Sequence, residues 1–141
     1  DVVLVKADGA RTRLLKAPKE NEPQLPAGAD VVVPIASARV VGKALDDEHV
    51  HRPELVAELT GRATGERIRP VDVAPVLTSE RGGRKRVPVD ATVVPVVNMV
   101  DDDDLAATGR EIARAVLERA DVPRVVLTRM TAPEPVVAVV D

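Results

Sequence analysis

Two apolar runs in this sequence end in acidic residues. Val2-Val3-Leu4-Val5-Lys6-Ala7 leads into Asp8-Gly9-Ala10-Arg11, and Val93-Val94-Pro95-Val96-Val97 leads into Asn98-Met99-Val100-Asp101. A carboxylate at the end of a buried strand can hold Mg²⁺, directly or through water, opposite a phosphate, and an adjacent glycine lets the backbone come close. Asp8 is therefore a candidate metal-facing acid and Asp8-Gly9 a candidate turn on the phosphate side. An ordinary Asp-Gly turn is the plainer alternative.

Asn98-x-x-Asp101 has the spacing of the guanine-recognition loop of GTPases, in which the aspartate accepts hydrogen bonds from the base edge and the asparagine braces the loop. Met99 stands where that loop usually has Lys, and a flexible, polarizable thioether can still cover a base by dispersion. Helix capping and compensation of the helix dipole are the alternative roles for the run Asp101–Asp104. His49 and His51 are the two histidines, set beside Asp46, Asp47 and Glu48. An extended segment would put both rings on one side, but two ligands do not make a zinc site. Arg81-Gly82-Gly83-Arg84-Lys85-Arg86 could grip a polyanion or serve as a solvated loop.

The elements that must carry these residues follow from periodicity and breakers. Strands are expected at Val2–Ala7, Val31–Ala36, Ala91–Asn98, Arg124–Thr128 and Val136–Val140, the last four being short Val-rich runs. Helices are expected at Pro53–Leu59, after Pro70, and at Asp103–Ala120, where Leu105, Ile112, Val116 and Ala120 mark an apolar face. Prolines 18, 23 and 26 exclude a continuous helix between Asp8 and Asp30. Alternating strands and helices predict a three-layer, mostly parallel α/β sheet. In an open sheet of that kind ligands gather beyond the carboxyl ends of the strands, where Asp8, Asn98 and Asp101 would lie.

At 141 residues the chain fits a single α/β domain, or the C-terminal portion of a larger one. With no Phe, Tyr or Trp, its interior must be filled by Val, Leu, Ile and Ala, and base stacking on aromatic rings is excluded. A net charge of −3 argues against general nucleic-acid or anionic-membrane binding. The absence of cysteine removes disulfides, thiolate nucleophiles and Cys-ligated zinc. No apolar run approaches a membrane span, and no basic-then-apolar leader precedes the first run, so a soluble cytoplasmic protein is expected. The start at Asp1, without Met and directly before an apolar run, leads us to expect a truncated or processed chain.

Four stretches together resemble the YqeC-type family of accessory proteins proposed for selenium-dependent molybdenum hydroxylases. They are Ala7-Asp8-Gly9-Ala10-Arg11; Leu15-Lys16-Ala17-Pro18 continuing to Glu22-Pro23; Gly42-Lys43-Ala44-Leu45 continuing to His49-Val50-His51-Arg52-Pro53; and Asn98-x-x-Asp101. The resemblance covers the family's middle and C-terminal portion. It implies a phosphate-loop NTPase-like fold, Mg²⁺ and a purine nucleoside triphosphate as cofactors of the intact protein, and a molybdenum hydroxylase or its cofactor-maturation machinery as partner. It also carries Asp8, Gly9, Asn98 and Asp101 over as nucleotide-side residues, and Lys16, His49, His51 and Arg52 as candidates for the family's own site.

The Gly-Lys-Thr-type phosphate loop has no counterpart here, because Gly42-Lys43 lacks both the preceding glycines and the following Ser/Thr. Lys6 and Met99 also depart from the family pattern. A non-catalytic binding or assembly module on the same scaffold is the alternative function, and a metal carrier using the two histidines is a third. Loss of the central phosphate-loop strand would expose sheet edges, to be covered by an upstream segment or by a second chain in a homo-oligomer.

Overall fold

A computed structural model describes residues 1–141. Its strands are short: β1 (Leu15–Lys16), β2 (Val31–Val32), β3 (Ile35–Ser37), β4 (Val50–His51), β5 (Thr92–Val93), β6 (Val96–Asn98), β7 (Val125–Thr128) and β8 (Val136–Val140). The helices are α1 (Pro53–Thr60), α2 (Pro70–Thr78) and α3 (Asp103–Arg119), with a 3-10 turn at Ala38–Val40. No helix is long and apolar enough to cross a membrane.

The sheet is mostly parallel, as expected. β3, β6 and β7 run parallel in that spatial order, and β8 closes the far edge antiparallel to β7. β2 pairs parallel with β5, and the register runs without a slip from Val31↔Thr92 to Ser37↔Asn98. Each expected strand, Val31–Ala36 and Ala91–Asn98, is thus one strand interrupted by a proline. Pro34 and Pro95 face each other in this register, and neither has an N–H to give the ladder. Their carbonyls still accept, from Val96 N–H at 2.9 Å and Val126 N–H at 3.0 Å.

Local chemistry explains the helices. Pro53 and Pro70 occupy first turns, where a missing N–H costs nothing, and Gly61 ends α1 at φ 75°. The Asp102 carboxylate caps α3 by accepting from Leu105 N–H at 2.8 Å. The α3 residues Ile112, Ala113 and Val116 join Val97, Val125 and Leu127 in an aliphatic core that also takes Val73, Ala74 and Leu77 from α2. Gly109 matters to this packing, since a Cβ there would meet both Leu127 methyls at 3.3 Å.

Three expectations are corrected. Residues 1–10 form no strand, and Val2, Val3 and Leu4 are 83–91% exposed. An apolar run becomes a strand only when a neighbouring edge satisfies its peptide groups, and no such neighbour lies beside Val2–Ala7. The sheet is also not covered on both faces throughout. Val32 and Ala36 are buried while Val31, Val33 and Ile35 are exposed, so helices cover one face of β2 and β3 only. The third correction adds an element: the Pro-rich connection contains β1, which pairs parallel with β4. Leu14 N–H donates to the His49 carbonyl at 2.8 Å, and Ser37 N–H donates to the Leu14 carbonyl at 3.0 Å, which docks this pair beside β3.

Candidate functional site

Lys16 on β1 gathers two separate segments, Asp8-Gly9 and Glu22, around one ammonium group. Lys16 Nζ lies 2.9 Å from the Gly9 carbonyl, 3.1 Å from Glu22 Oε1 and 3.4 Å from Asp8 Oδ2, and its side chain is only 8% exposed. The Arg52 guanidinium donates to the same Glu22 oxygen at 2.7 Å and to the Ala17 carbonyl at 3.3 Å. Burial alone would push the Glu22 carboxyl up. The Lys16 ammonium, the Lys19 N–H and the Arg52 charge outweigh burial and hold it down at about 2.

His51 sits opposite Lys16 in the β1–β4 register. Burial, helped by the neighbouring Arg52, Lys16 and Arg11 charges, lowers its pKa and favours the neutral ring. His49 has different surroundings. Its Nδ1 is 2.8 Å from Asp46 Oδ1 and its Nε2 is 3.8 Å from Glu48 Oε1. Asp46, Glu48 and His49 have ligand atoms close enough to converge on an ion, and His51 is not part of that group.

The end of β6 is built differently. Asn98 Oδ1 accepts from Thr128 Oγ1 at 2.9 Å and from Met130 N–H at 3.3 Å, so the asparagine ties the β6 loop to the end of β7. Met99 takes a positive φ of 60°, and its sulfur accepts from the Ser37 hydroxyl at 3.1 Å. Asp101 Oδ2 accepts from Arg39 Nε at 3.0 Å and Nη2 at 2.7 Å. Asp101 Oδ1 accepts no hydrogen bond and remains available.

The Asp8-Gly9 segment and the end of β6 share one space, which Asp101 does not line. Asp8, Gly9, Lys16, Ser37, Asn98 and Met99 all line an open cleft of about 1330 Å³. Asp8 makes no hydrogen bond beyond its ion pair, which leaves a carboxylate oxygen for a cation. Mg²⁺ commonly takes one or two carboxylates plus phosphate oxygens and water, and Asp8 offers one such carboxylate.

The basic loop is not a free anion grip. Arg81 pairs with Glu58 at 2.7 Å, Arg84 donates to the Asp121 carbonyl at 2.7 Å, and Lys85 and Arg86 both donate to the Glu20 carbonyl. Three contributors lay outside the expected site: Glu22, Arg39 and Ser37. Glu22 was visible only as part of a recurring stretch, and nothing in the sequence signalled that Arg39 would reach Asp101, 62 positions away.

A family model described as YqeC protein matches residues 1–54, the segment holding Asp8, Lys16, Glu22, His51 and Arg52. A protein of Escherichia coli (strain K12), described as "Uncharacterized protein YqeC", is 30% identical over 122 residues, which is 86% of this chain and 47% of that protein. Together these two matches support a YqeC-like family for this chain. It spans about half the length of the curated YqeC relative it matches. No solved structure matches it. The Lys16 network thus links three of the stretches that carried the YqeC resemblance in the sequence.

Proposed function

We propose that this chain is the metal- and base-facing portion of a nucleotide-dependent accessory protein for maturation of a selenium-dependent molybdenum hydroxylase. One observation carries the reading: the irregular Asp8-Gly9 segment and Asn98-Met99 at the end of β6 line the same cleft. The fold that goes with it is phosphate-loop NTPase-like. The Asn98 brace and the free Asp101 oxygen suit a loop that accepts from a purine edge, with Met99, 39% exposed, against the base face. Asp8 would hold Mg²⁺, which when bound would neutralise phosphate charge. Lys16 holds the Asp8-Gly9 segment against β1.

Calorimetry of the full-length gene product with Mg-GTP and Mg-ATP tests this reading. Asp101→Asn should weaken Mg-GTP binding by about 10-fold or more, because losing a charged acceptor costs roughly 1.5–3 kcal/mol, while leaving Mg-ATP unchanged. Absence of binding to either nucleotide refutes it.

A second reading, a non-catalytic assembly module on the same scaffold, is favoured by how fully the polar groups are engaged. The Lys16 ammonium donates to the Gly9 carbonyl and is ion-paired with Asp8 and Glu22, and Asp101 is held by two Arg39 donors. Capture of a molybdenum hydroxylase by a protein that binds no nucleotide would select it.

A further inference from the structure

The β5 and β6 strands use only one side of β2 and β3. Thr92, Val94 and Val96 donate to the carbonyls of Asp30, Val32 and Pro34 at 2.9–3.0 Å. Peptide groups alternate sides along a parallel ladder, so those of Val31, Val33 and Ile35 face the opposite way. The three N–H groups make no bond to any loop or turn. Their side chains are 46–60% exposed, which gives roughly 16 Å of apolar, unpaired edge at the usual strand rise.

This edge is recessed. Residues 1–13 form the other wall of the same cleft, including Val2, Val3, Leu4 and Val5 at 56–91% exposure, and Val76 and Leu77 also line it. The Val31–Ile35 edge and the Val2–Val5 part of the facing wall are both apolar and rich in β-branched residues, and each has peptide groups without a strand partner. A single extended segment can lie between the walls and bond to both.

We propose that the cleft is a strand slot whose occupant is one extended, β-branched segment of the same polypeptide from outside residues 1–141. That strand would pair with Val31, Val33 and Ile35 on one side and with Val2–Val5 on the other, converting residues 2–7 into the strand their sequence pattern calls for. The matched relative has the length to supply it, since only 47% of that protein corresponds to this chain. The slot is independent of whether the site beyond the strand ends takes a nucleotide.

Amide hydrogen exchange on the full-length gene product tests the slot. The Val31, Val33 and Ile35 amides should be slowed at least about 100-fold relative to unprotected amides, as expected for interior strand hydrogen bonds. Val33→Pro, which removes one donor, should restore fast exchange at Val31 and Ile35 while Ile112 and Val116 in α3 stay protected; Val33→Thr, which keeps the donor, should not. If Val33→Pro unfolds α3 as well, wild-type protection at the three amides still decides the matter. Fast exchange at those amides in the wild type overturns the proposal. Protection that appears only as sedimentation shows a dimer also overturns it, in favour of a second copy.

Discussion

Replacing Glu22 by Gln removes the charge that Lys16 and Arg52 share while keeping the side chain's shape. Glu22 is drawn from its ordinary value of 4.5 to about 2, and its side chain is 19% exposed. At about 1.4 kcal/mol per unit the shift corresponds to on the order of 3 kcal/mol, and screening by nearby solvent brings this to about 2 kcal/mol. The folded-state value is depressed, so the contribution is fully present above pH 4.5. It fades as pH falls from 4.5 through 2, where the folded protein takes up the proton.

Urea denaturation of both proteins at a series of pH values from 7 to 2 measures it. Glu22→Gln should be about 2 kcal/mol less stable at neutral pH, and the gap should close across that acid window. The other carboxylates titrate in both proteins and cancel from the difference. A gap that stays constant from pH 7 to 2, or no gap at neutral pH, refutes the view that the Glu22 charge holds this network.

Two further outcomes follow from the geometry. His51 should titrate below 6.5 by NMR; because the unfolded chain takes up that proton first, it should cost stability as pH falls below 6.5, and His51→Gln should flatten that part of the profile. Gly83→Ala should lower stability by about 3 kcal/mol in chemical denaturation, because its Cβ would run into the Leu77 carbonyl, whereas Gly28→Ala, with nothing within 4 Å, should change it by less than about 0.5 kcal/mol.

The sequence was most readable where local chemistry decides structure. Pro53, Gly61 and Pro70 bound α1 and the start of α2, and the apolar stripe of Ile112 and Val116 oriented α3, because those signals act within a turn or two. The strand at Val2–Ala7 was misread because strand formation depends on a neighbour, which periodicity does not report. The β1–β4 pair was missed for a related reason: Leu15–Lys16 is two residues long and its partner is 35 positions away. The candidate site divides along the same line. Asp8 and Asn98 stand out by their place after apolar runs, but Glu22 and Arg39 acquire their roles only when distant segments meet.

The facing prolines have a mechanical consequence. Pro34 deletes the rung that would reach the Val94 carbonyl, and Pro95 deletes one on its other side, toward β7. Two adjacent strands are therefore perforated at the same level. Fraying that starts at Val31 and Thr92 meets a seam before it reaches Ser37 and Asn98, so the loops that line the cleft are insulated from motion at the opposite end of their own strands.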